Sequence, residues 1–179
     1  MRRLTILTRQ ILISHSDPNT NHPEDIILGY CDNEVANWYI SRYILSSRLI
    51  HGVVLDSTQS SCYESSILGR SENVKLVTSV DIDKRVLQYG RIVYDSDCIC
   101  ADCTLLPFRG QSFNPVVSIE TLEHIKNQDV FLNNIKFCLK KRSVLVLSTP
   151  SKLCISSLIP KSLNPYHTKE YYLGPLLIL

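Results

Sequence analysis

Two rhythms of hydrophobic and polar positions run along the chain. Across residues 34–49, Val35, Trp38, Leu45 and Leu49 recur at three- and four-residue steps, interrupted by Arg42, with no glycine or proline between them. That spacing predicts a helix. Further on, the apolar runs shorten. Val53-Val54-Leu55 ends at Asp56, a run over 74–80 ends at Asp81, and Cys98-Ile99-Cys100-Ala101 ends at Asp102. Val116-Val117-Ser118-Ile119 ends at Glu120, and Val144-Leu145-Val146-Leu147-Ser148 is stopped by Pro150. Helices are predicted between the later runs, over 83–89 and over 130–139, where Phe131, Ile135 and Cys138 share a stripe.

Short runs with mostly no polar face, alternating with helices, describe a parallel sheet buried on both sides. The expected fold is α/β: a Rossmann-like, doubly wound, mostly parallel sheet with helices on both faces. Four of its five strands end in a carboxylate: Asp56, Asp81, Asp102 and Glu120. Ligands of open parallel sheets bind outside the carboxyl ends of the strands, so these acids point to a ligand edge. Turn formers at Asp17-Pro18-Asn19 and Asn21-His22-Pro23 set off an N-terminal segment, 1–33, from a domain over 34–179.

Composition narrows the classes. A chain of 179 residues, 44% hydrophobic, can bury one core. Nineteen Lys and Arg against 17 Asp and Glu give a net charge of +2, which argues against a nucleic-acid partner. No apolar run is long enough to span a membrane. Arg2, Arg3 and Arg9, with no acid before Asp17, read as an ordinary basic first segment rather than an organellar presequence. Seven cysteines, an odd number mostly inside apolar runs, read as reduced small hydrophobes in a cytoplasmic protein. Glycine is scarce: there are 6, where average usage gives roughly 12.

The motifs resemble those of class I S-adenosylmethionine-dependent methyltransferases, in particular the small-molecule branch known as methyltransferase type 11. The matching pieces are Ser41-Arg42-Tyr43, His51-Gly52-Val53-Val54-Leu55-Asp56, Val80-Asp81-Ile82-Asp83 and the stretches 101–108 and 112–124. Leu147-Ser148-Thr149-Pro150 and the stretch 164–171 complete the set. The resemblance implies S-adenosyl-L-methionine as cofactor and assigns roles residue by residue. Asp81 would accept both ribose hydroxyls and Asp102 the adenine amino group, with Cys103 beside the ring and Ile82 against its face. Asp56 would organise the loop after the first strand of the core, and Glu120 would lie near the donor methyl. His124, and His167 from the carboxyl-terminal stretch, are the candidate bases for a hydroxyl acceptor.

One loop departs from the family. Where it has Asp-x-Gly/Ala-Cys-Gly-x-Gly-Tyr-Gly, this chain has Asp56-Ser57-Thr58-Gln59-Ser60-Ser61-Cys62-Tyr63-Glu64. Ser60, Cys62 and Glu64 replace glycines that serve positive backbone angles and close approach of a ligand. Ser60 and Cys62 are therefore expected in the cofactor site, and Glu64 is expected to place a negative charge near the methionine carboxylate. The family's last two strands have no counterpart, which leaves an exposed sheet edge and an apolar C-terminus through which a homo-oligomer could form. Glu120-x-x-Glu123-His124 has a spacing that some methyltransferases of this fold use for a divalent metal, but many more carry the same letters without one, and no metal is expected. Two functions remain open: methyl transfer to a small-molecule or lipid-like acceptor, or a catalytically inactive homologue acting as a binding or scaffolding subunit.

Overall fold

The computed structural model describes residues 3–9, 33–57, 62–152 and 164–172. Its elements, in chain order, are β1 (Arg3–Arg9), α1 (Asn33–Ser47), β2 (Gly52–Asp56), α2 (Tyr63–Gly69), β3 (Val74–Asp81), α3 (Lys84–Tyr94) and β4 (Asp97–Cys100). β5 (Val116–Ile119), a 3-10 turn (Leu122–His124), α4 (Gln128–Cys138) and β6 (Val144–Pro150) follow. The six strands form one sheet in the order β1-β6-β5-β2-β3-β4, with every pair parallel. The chain moves outward from β2 in one direction through β3 and β4, and in the other through β5 and β6. The strand order therefore reverses at β2, where doubly wound sheets take their ligands.

Alternation along the strands divides the core. Leu55, Val80, Val116 and Leu147 pack with Phe131, Ile135 and Cys138 of α4. Val54, Val117 and Val146 pack on the opposite face with Tyr43 of α1 and Leu68 of α2. Buried on both faces, these strands carry apolar side chains at successive positions, which is why they read as continuous runs. Asp83 caps α3 by accepting from the Arg85 amide at 2.8 Å, and Asn127 caps α4 by accepting from Val130 at 3.3 Å. Gly52 opens β2 at φ 73°, and a Cβ there would lie 2.7 Å from Oδ1 of Asn114, so any other residue would be both strained and crowded.

Two elements differ from the sequence expectation. The edge beside β6 is not open, because β1 lies along it from Arg3 opposite Val144 to Arg9 opposite Pro150. This corrects the expectation of an exposed edge there as a dimer surface. A parallel strand can be drawn from any part of a chain, and Leu4-Thr5-Ile6-Leu7-Thr8 is too short a run to announce its partner. Among the described residues no antiparallel strand is present, and the apolar C-terminus, 173–179, lies outside them. The second addition is α2, whose seven residues include only Ile67 and Leu68 as aliphatic anchors. Among the described residues, no helix is long and apolar enough to cross a membrane.

Candidate functional site

The carboxyl ends of β2, β3, β4 and β5 surround a cavity of about 360 Å³ whose lining includes Ser57, Asp81, Ile82, Asp102, Cys103 and His124. Its size falls in the range of small-molecule sites, ~300–1,000 Å³. Asp81 is 5% exposed and accepts the Asp83 amide on Oδ1 at 2.6 Å, which fixes its carboxylate at the strand end. Ile82, the next residue, is 59% exposed, an apolar side chain facing open space at the cavity wall. Asp102 is exposed and accepts from both the amide and the hydroxyl of Thr104 on Oδ1 at 2.7 Å. Burial pushes the Cys103 thiol up to about 12, so it stays neutral in the wall.

The residues after β2 divide. Asp56 is fully buried and accepts from Tyr43 at 3.3 Å and from Ser65 at 2.7 Å. It ties α1 and α2 to the end of β2 and organises the segment from behind, without lining the cavity. Ser60 lies outside the described residues. Cys62 has φ 64°, the left-handed angle the missing glycine would have supplied. Its side chain turns away from the cavity, into a cluster with Leu87 and Cys98. Its side chain therefore does not line the cavity. Glu64 is also not in the lining. It is fully buried in the first turn of α2, and its charge helps, after burial and Tyr89, to push the Tyr94 hydroxyl up to about 12.

The stretch 164–172 docks on the turn after β5. Thr168 donates its amide to the Glu123 carbonyl at 2.6 Å and its hydroxyl to the same oxygen at 2.8 Å, and the Lys152 amide donates to Tyr171 at 2.8 Å. This brings the two candidate bases together, with ring centroids 5.0 Å apart and an edge contact at 74°. His124 Nδ1 donates to the Tyr166 carbonyl at 3.3 Å, which places the lone pair on Nε2. His167 Nδ1 lies 3.0 Å from the Glu170 carboxylate, and its Nε2 accepts from Asn164 at 3.1 Å. Glu123 is 1% exposed and accepts from Thr149 at 2.8 Å. Glu123, His124 and His167 offer ligand atoms within 4.8 Å of one another, a nitrogen and oxygen set of the kind zinc and iron(II) take.

Glu120 does not join them. It has φ 49°, accepts from the Ser148 hydroxyl and lies 3.8 Å from Arg42 Nη2, with both side chains 6% exposed. The acid expected near the reacting methyl is therefore held by an arginine and a serine. Arg42 is the residue that sequence reasoning missed. It broke the apolar stripe of α1, which was the only signal of its burial. Its guanidinium lies over Tyr39, and its Nε has no hydrogen-bond partner.

A methyltransferase-domain family matches residues 60–147. Over those residues the chain is similar to the class I methyltransferases. It is 25% identical over 138 residues to a Mycolicibacterium smegmatis protein named as a probable S-adenosylmethionine-dependent methyltransferase, covering 74% of this chain and 53% of that one. The chain thus spans about half the length, or less, of the curated relatives it matches. Among solved structures, a methyltransferase candidate of Bacillus halodurans superposes with a TM-score of 0.65 at 18% identity, over 78% of this chain and 65% of that one. The [4+2]-cyclase SpnF superposes with a TM-score of 0.54 at 18% identity, over 63% and 44%. At that identity these two establish the fold alone. The family's cofactor is S-adenosyl-L-methionine.

Proposed function

We propose that this methyltransferase domain binds S-adenosyl-L-methionine in the 360 Å³ cavity and transfers its methyl group to a small-molecule or lipid-like acceptor. The observation that carries the reading is Asp81, a buried carboxylate fixed at the end of β3 and opening on that cavity. Its two oxygens suit a vicinal diol. Ile82 offers an apolar face to a base, and Asp102 an acceptor for an exocyclic amine. Arg42 supplies positive charge at the same sheet edge, opposite Glu120, suited to a carboxylate at the far end of the cofactor.

When bound, S-adenosylmethionine supplies a methyl group already activated on a sulfonium. The protein's part is to align an acceptor and exclude water. His124 lines the cavity, and its Nε2 takes the acceptor's proton, while Tyr166 fixes the tautomer through Nδ1. His167, braced by Glu170 and Asn164, buttresses the ring from one side. Apolar lining by Val80, Ala101 and Ile125 favours an acceptor with hydrocarbon character.

Calorimetry with S-adenosylhomocysteine tests the reading. Heat of binding in the micromolar range is expected. No heat and no thermal shift at saturating ligand would sink it and leave the scaffolding-subunit alternative. A second reading rests on the Glu123, His124 and His167 set: a divalent metal held there would polarise a hydroxyl acceptor. Titration with zinc or manganese, read by calorimetry on wild type and His167→Ala, separates the two, and equal or absent metal binding in both proteins discards it.

A further inference from the structure

Cys62 and Cys98 face each other with Sγ atoms 3.5 Å apart, 1% and 3% exposed. They come from distant elements. Cys62 precedes α2, at the end of the segment that follows β2, and Cys98 lies on the edge strand β4 opposite Ser79. Leu87 and Tyr94 of α3 close the cluster around them, and among the described residues no other thiol shares it. Cys100 and Cys103 follow Cys98 on the same stretch but look elsewhere: Cys100 is exposed with its thiol 3.5 Å from the Ile82 carbonyl, and Cys103 lies in the cavity wall. A disulfide needs sulfurs about 2.05 Å apart, which side-chain rotation supplies from contact distance where the backbones already face each other.

We infer that Cys62 and Cys98 are a disulfide-forming pair, and that oxidation ties the start of α2 to the edge strand β4. The inference does not depend on cofactor use. With hydrogen peroxide as oxidant, the Cys98 thiolate attacks one oxygen, breaks the O–O bond and releases hydroxide, becoming a sulfenic acid. The Cys62 sulfur then attacks the Cys98 sulfur, the S–OH bond breaks, and water leaves with the Cys62 proton. Two thiols and one peroxide give one disulfide and two waters. Cys98 is the first to react. Burial raises both thiols; at Cys98 the hydrogen bond with Cys62 and the positive charge of Arg91, which donates to the Cys98 carbonyl, work against it, whereas Cys62 is raised further by Cys98 and, less, by Asp56.

The lock acts at a strained point. Cys62 holds a left-handed backbone angle without being glycine, and a cross-link through its side chain restrains that angle. Treating the full chain with hydrogen peroxide, alkylating the remaining thiols and mapping peptides without reductant tests it. The expected map links the Cys62 peptide to the one containing Cys98. The link persists in the double variant Cys100→Ser/Cys103→Ser, which spares the buried pair, and disappears in Cys62→Ser and in Cys98→Ser. The oxidised protein should melt about 5–10 °C higher and return with dithiothreitol. A link to Cys100 or Cys103, cysteines oxidised past sulfenic acid without a link, or an unchanged melting temperature would each overturn it. Because the double variant alone distinguishes Cys98 from its neighbours, the test stands even where a buried serine prevents folding.

Discussion

The two halves of the cavity edge are built on different principles. On one side, β3 and β4 end in Asp81 and Asp102, ordinary strand ends whose carboxylates are set by their own following amides and hydroxyls. On the other, the segment after β2 needs left-handed backbone at Cys62 and runs without the family's last three loop glycines. The first half tolerates sequence drift because local turns hold it. The second depended on a residue type, and once that type was lost the chain kept the angle and changed the chemistry: a thiol cluster stands where a bare backbone would be. On the proposed reading, the adenosine half of the cofactor and its methionine half rest on unequal supports.

The sharpest way to break this comparison is Asp81→Asn. Loss of a charged acceptor for a diol costs about 2–3 kcal/mol, roughly 30- to 160-fold in S-adenosylhomocysteine affinity by calorimetry. An unchanged affinity would remove the adenosine half from the argument. Next comes Arg42→Ala. It should weaken S-adenosylhomocysteine about tenfold while leaving methylthioadenosine, which lacks the carboxylate, within about twofold; equal losses for both ligands would show that Arg42 acts only through folding. On the loop side, Cys62→Gly should be more stable than Cys62→Ala by about 1 kcal/mol in urea unfolding, because only alanine is strained at φ 64°.

The smallest effect is electrostatic. Arg85 beside Asp83 holds its carboxyl at about 2, below the usual carboxylate range. The folded pKa is lowered, so the stabilisation is complete above the unfolded value near ~3.9 and is lost as pH falls toward 2. Asp83→Ala should therefore lower the urea midpoint modestly at pH 6, and the difference from wild type should shrink toward pH 2, where the wild-type carboxyl is about half protonated. A gap that persists at low pH would place Asp83's contribution in something other than its charge.

Most of the sheet was legible because parallel strands covered on both faces leave an unbroken apolar signature, and the acid at each end marks where the apolar run stops. Asp56, Asp81, Asp102 and Glu120 were found in that way. What they do at those ends was only partly legible. Glu120 and Arg42 turn toward each other, since a buried arginine on α1 is visible only as a flaw in an apolar stripe. The meeting of His124 with His167 depends on Thr168 reaching the Glu123 carbonyl, a tertiary contact that leaves no periodic trace. α2 was hidden by its serines, which look like a loop until Ser65 is seen bonding Asp56 and Ser66 bonding the Tyr63 carbonyl.

The position of β1 has a kinetic side. Its partner along every residue is β6, so Arg3 waits for Val144 before it can pair. Such distant pairing raises contact order and is slow to form. Of the strands described, β1 comes earliest in the chain and pairs with the latest, so the flank of β6 is covered only once β1 docks, a window that lengthens as docking slows.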